Sequence, residues 1–89
     1  MKKLLVITAA VLAATPALAY SYATRTLGNE VCRQLQNNRY MSTKQAVYAA
    51  GAVVGYDVVI KANNSDGAQK AAMYVFETCP SAVMSAPKN

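Results

Sequence analysis

Residues 42–62, STKQAVYAAGAVVGYDVVIKA, constrain this chain more than any other stretch, because they form the one long apolar run beyond residue 20. The run lacks the alternation of a half-buried strand and is too long for a single buried one, so its period favours a helix. Ser42 followed three residues later by Gln45 is a capping box, and Met41 before the cap is placed to pack on Ala46 as a hydrophobic staple. The pattern predicts a helix from that cap through residue 62. Projected on a helix, Thr43, Ala50, Asp57 and Lys61 share one narrow strip, with Asp57 and Lys61 four apart and able to pair. The rest of the circumference is apolar and needs cover from other helices, a second subunit or a client. A β alternative rests on the β-branched runs Val53-Val54 and Val58-Val59-Ile60, and on Gly51 and Gly55, each costing about 1 kcal/mol in a helix relative to alanine.

Gly51 and Gly55 also make a GxxxG pattern, which lets a second helix approach closely. With Val47, Val58, Val59 and Ala62 they form a candidate helix–helix or client interface. Residues 46–60 supply only 15 positions and include Asp57, against the roughly 20 apolar residues of a spanning helix, so a membrane segment is disfavoured. In a water-soluble fold the glycines admit either the third helix or a second copy of this one.

Residues 1–19 have the layout of a secretory signal peptide: Lys2 and Lys3, an apolar run over residues 4–14, Pro16, then Ala17-Leu18-Ala19. Cleavage is expected after Ala19, giving a periplasmic or secreted protein. The apolar run is too short to span a bilayer, and no cysteine follows it to carry a lipid. Without the signal the chain has 70 residues with seven basic and four acidic groups, a formal charge of +3. The basic residues, among them Arg25, Arg39, Lys44 and Lys88, are scattered, whereas nucleic-acid binding calls for a basic cluster on one face.

A chain of this size buries a marginal core, so a covalent staple matters. Cys32 and Cys79 are its only cysteines. An exported protein with one possible pairing predicts a Cys32–Cys79 disulfide. The alternative, redox-active or metal-binding thiols, lacks a CxxC pair and any histidine. Around this staple, residues 20–27 read as an extended arm. A short helix starts at Asn29-Glu30 and runs to about residue 37. Residues 63–67 form a turn, and Asp66 with Gln69 repeats the capping-box pattern. Ala68, Ala72, Val75, Phe76 and Cys79 then mark one face of a third helix. Pro80 ends it, and residues 80–89 read as a loose tail, with at most one further turn at 81–84. The expected architecture is all-α: a small three- to four-helix single domain, residues 20–89, around a long central apolar helix.

The catalytic inventory is sparse. Histidine is absent, and Glu30, Asp57, Asp66 and Glu77 are dispersed, whereas acid–base chemistry needs a histidine or a paired carboxylate with a shifted pKa. No enzyme, no cofactor and no metal is expected. Asn63-Asn64-Ser65 matches a glycosylation sequon but is better explained as a turn. The six tyrosines suit core edges or an interface.

The segment Cys32-Arg33-Gln34-Leu35, the apolar stretch after it and Cys79 at the end of a later helix resemble the HdeA-type periplasmic acid-stress chaperones. The resemblance covers roughly residues 29–80 and lies in cysteine spacing and helix pattern. It implies a small exported helical homodimer that binds unfolded clients through apolar helix surface, exposed when the subunits separate or loosen. Gly55-Tyr56 followed by Cys79-Pro80 is similar to exported helical immunity proteins of the Rap/Tai kind, which implies an inhibitor binding one folded partner. A cationic membrane-active peptide is a third reading of the GxxxG helix. Two departures from the chaperone pattern stand out: residues 81–89 carry one lysine in place of a basic segment, and protonating all four carboxylates moves the mature charge only from +3 to +7.

Overall fold

Ser21 sets the start of the fold. The computed structural model describes residues 20–88, so the expected signal at residues 1–19 lies outside the described residues. Ser21 is the N-cap of helix α1 (Tyr22–Asn37), and its Oγ accepts the Thr24 N–H at 3.2 Å. The extended arm expected over residues 20–27 is therefore corrected to helix from Tyr22 onward, and Asn29, where the helix was expected to start, lies inside it. The buried stripe explains why. Thr24, Leu27, Gly28, Val31, Cys32 and Leu35 recur at three and four residues, an unbroken helical face in which a threonine and a glycine replace apolar side chains.

Helix α2 (Thr43–Val54) begins as its sequence predicts. Gln45 N–H donates to Ser42 Oγ, and Ser42 N–H donates to Gln45 Oε1. The continuous helix expected to residue 62 is not formed. Gly55 takes φ 104° and ψ 146°, ending α2 while its carbonyl receives the N–H groups of Val58 and Val59 at the start of α3 (Tyr56–Ser65). Only glycine adopts this backbone region without strain. The break lets the two halves pack on each other: a Cβ at Gly51 would lie 3.2 Å from Val59 Cγ2. Asp57 and Lys61 both fall on α3 without forming the expected ion pair. Asp57 sits in the first turn, where the helix dipole favours a negative charge.

Helix α4 (Gly67–Thr78) follows at once, and Pro80 opens the short α5 (Pro80–Ser85), as its lack of an N–H allows. The capping box expected from Asp66 and Gln69 is absent, because the Asp66 carboxylate points to α1 instead. The loose tail is also corrected: Ala82, Val83 and Ala86 pack on the core.

The all-α class is as the sequence predicts, and so is the staple. Cys32 of α1 is bonded to Cys79, between α4 and α5, with Cα atoms 5.9 Å apart. Closing a loop of 47 residues stabilises the fold by about 4 kcal/mol in the chain-entropy model. The helix at the centre is α1, which packs on all four others. Its neighbours contribute small side chains to the core: Ala46, Ala50 and Ala62 are almost completely buried, and Val31 and Thr24 are the largest side chains with no exposed surface to speak of. A core in which three alanines stand beside Leu27, Val31, Leu35 and Val75 is thin, and ten large apolar side chains stay exposed among the described residues.

Candidate apolar groove

The thin core leaves a groove between α3 and α4. Its floor is Leu27, Gly28 and Val31 of α1, the one helix that reaches every neighbour. One wall comes from α3 through Tyr56, Val59, Ile60 and Ala62, with Val47 of α2 beside it. The opposite wall is α4, presenting Ala68, Ala71, Ala72, Val75 and Phe76, and Val83 of α5 closes one end. The groove, open to solvent, has a volume of about 530 Å³, within the usual range of ligand pockets, roughly 300–1,000 Å³. Thr43 and Asn63 are the only side chains in the lining with polar groups apart from the Tyr56 hydroxyl.

The apolar face expected on α4 divides here. Val75 and Cys79 are buried in the core, while Ala68, Ala72 and Phe76 are exposed, Phe76 at 49%. On the facing wall Ile60 is 43% exposed and Tyr56 77%. Of the candidate interface residues, Val47, Val59 and Ala62 line the groove. Gly51 lies beneath Val59, Gly55 is the hinge that turns α3 back, and Val58 is half-buried outside the lining. Residues 42–62 alone did not reveal Ile60 and Phe76 as a facing pair. The signal was Gly55, which fixes where the run folds.

Charged groups gather away from the groove. Glu30 accepts from the Arg33 guanidinium and from Gln34 Nε2, and Arg33 holds its carboxyl below the ordinary carboxylate range. The Thr24 hydroxyl and the Ser21 N–H lower Asp66 in the same way. Burial pushes the Tyr20 phenol up, helped by the Glu77 carboxylate that accepts its hydrogen bond. A second, more open recess lies beside α1, with Tyr22, Arg25, Asn29 and Tyr74, and there the Tyr74 hydroxyl donates to Asn29 Oδ1 at 2.7 Å. Among the described residues no three His, Cys, Asp or Glu side chains are grouped to hold a metal. No helix among them is long and apolar enough to cross a membrane.

Compared with protein-family models, with curated proteins and with solved structures, the chain has no match in any of the three. The resemblance to the acid-stress chaperones therefore rests on cysteine spacing and helix pattern.

Proposed function

We propose that this chain is a small exported binding protein, without catalytic activity, that holds apolar segments of unfolded polypeptides in the α3–α4 groove. The observation that carries the reading is the lining. A site for one small ligand fixes its guest with a few converging polar groups on an apolar wall. Here alanine, glycine and valine make a smooth channel, with Ile60, Phe76 and Tyr56 along its rim. Such a surface gains binding energy from apolar area, about 25 cal/mol per Å² before the costs of association, and discriminates little between apolar guests. The Cys32–Cys79 bond suits an oxidising compartment and keeps the groove's floor and α4 wall together.

The test is suppression of aggregation of a denatured client protein, followed by light scattering at neutral and acidic pH. The groove reading expects suppression that is lost in Ile60→Ser and Phe76→Ser. Absence of suppression at either pH, or suppression indifferent to both substitutions, overturns it. So does a stable homodimer that buries the groove at both pH values, or a single folded partner recovered from periplasm with a dissociation constant unaffected by unfolded competitor.

A further inference from the structure

Tyr20 precedes the first helix, yet it is held from three sides. It is only 7% exposed, and its ring packs edge-on against Tyr74 with centroids 5.1 Å apart. Its hydroxyl donates to Glu77 Oε1 at 3.1 Å, 57 residues along the chain. The next amide, Ser21 N–H, donates to Asp66 Oδ2 at 2.9 Å, and that oxygen also accepts the Thr24 hydroxyl. Capping α1 requires only the Ser21 side chain, which already accepts from Thr24 N–H. Half of the chain's four acidic residues are nonetheless drawn to residues 20–24, Asp66 from the α3–α4 junction and Glu77 from α4. Asp66 stands at the start of α4 but leaves that helix's own N–H groups without a side-chain cap.

The expected cleavage after Ala19 would make Tyr20 the first residue. Its α-nitrogen is three covalent bonds from the Ser21 nitrogen, so within about 4 Å of the amide that Asp66 holds. With the Ser21 nitrogen 2.9 Å from Asp66 Oδ2, the α-nitrogen lies within about 7 Å of that carboxylate, inside the Debye length of about 8 Å. We infer that Asp66 is the binding site for the α-ammonium group that cleavage creates at Tyr20, with Glu77 and Tyr74 seating the side chain of the same residue. A carboxylate beside an ammonium forms a charge-assisted hydrogen bond, stronger than one between neutral groups. Lys70, one turn along α4, is the other cation whose field reaches Asp66. Cleavage thus adds a charge to a site that is already organised around residue 20, and the processed chain is more stable than one with a neutral or extended N-terminus. The inference rests on cleavage after Ala19 and is independent of what the groove binds.

The experiment uses the exported protein as purified, its first residue read from intact mass. The α-amine is acetylated selectively, and melting is compared with the unmodified protein from pH 3 to pH 11. The unmodified protein is expected to melt a few degrees higher at pH 7, about 2–5 °C for a domain of this size. That difference closes above pH 10, where the amine is neutral, and in Asp66→Asn. By ¹⁵N NMR the α-amine of the native protein titrates above its ordinary range of about 7.7–8.0, a measurement that stands even if Asp66→Asn folds poorly. Equal melting of the two forms at pH 7, a difference that persists in folded Asp66→Asn, an α-amine titrating at its ordinary value, or a mass showing another first residue overturns the inference.

Discussion

The two sides of α4 follow opposite rules. Toward α1 it is fitted to specific groups: Tyr74 lies against the bare backbone of Gly28, donates to Asn29 and packs edge-on against Tyr20, and the helix ends in the disulfide to Cys32. Toward α3 it shows Ala68, Ala71, Ala72, Val75 and Phe76, with no charged or hydrogen-bonding side chain to select a neighbour. One helix can therefore be rigidly placed and still present a permissive surface. Stability is concentrated on the first side and binding capacity on the second, so substitutions on the two sides should separate these properties.

The largest effect belongs to the staple. Cys32→Ser with Cys79→Ser removes about 4 kcal/mol, a large part of the stability of a domain this small. Thermal melting with and without reductant checks this: the double variant should melt at the temperature of the reduced wild type and be unaffected by reductant. Gly28→Ala comes next. A Cβ there meets Tyr74 Cδ2 far inside contact distance, with Cε2 at 2.7 Å and Val75 Cγ2 at 3.4 Å, so the ring must move and lose Asn29 or Tyr20. Overpacking costs about 1–3 kcal/mol, partly offset by alanine's better helix propensity of about 1 kcal/mol, and denaturant unfolding reads the net loss.

How much of this contrast was legible in the sequence depends on what carries the signal. The disulfide, the Ser42–Gln45 box and the Pro80 stop are local or combinatorial signals, and all are present in the structure. Helix α1 was half hidden because its stripe runs through Thr24 and Gly28, residues that count as polar or as breakers but here serve Asp66 and Tyr74. The break at Gly55 was invisible to periodicity, since apolar residues flank it on both sides and the positive φ that ends α2 leaves no mark on the apolar pattern. The groove follows from that break and so shared its obscurity. Asp66 had the sequence of a cap for α4, and only the arrival of residues 20–24 from far along the chain redirected it.

Gly55→Ala probes that hinge. A side chain at φ 104° is strained by about 1–3 kcal/mol, and its Cβ would also sit 3.0 Å from Asp57 Oδ1. The loss should appear in denaturant unfolding together with faster amide exchange in α3, since the junction, and with it one wall of the groove, is what gives way. Acid gives a milder test of the other side. The carboxyls of Asp66 and Glu30 are lowered in the native state, so each contributes stability that is complete above its unfolded pKa, near pH 4, and is lost as pH falls through the native value. Asp66→Asn should lower the melting temperature at neutral pH by less than Gly28→Ala does and flatten its decline below pH 4. An unchanged acid limb would mean that the contacts with Ser21 and Thr24 do not persist in solution.

The smallest change in stability is expected where the change in binding is greatest. Ile60 and Phe76 are nearly half exposed, so replacing either with serine gives up only part of the roughly 1.5–3 kcal/mol of a fully buried side chain and should shift unfolding by about 1 kcal/mol. Both face the groove, and an apolar guest that touches both loses the area they offered. If each side chain gives up about 50 Å² of contact, the loss is near 1.3 kcal/mol, or roughly ninefold in affinity, for each substitution. Titration with an environment-sensitive apolar dye, measured beside denaturant unfolding of the same samples, separates the two quantities. A variant that binds as before would move the site away from α3 and α4. A variant that binds less but also unfolds more readily by several kcal/mol would show that Ile60 and Phe76 belong to the core, and the division between a fitted side and a permissive side of α4 would not hold.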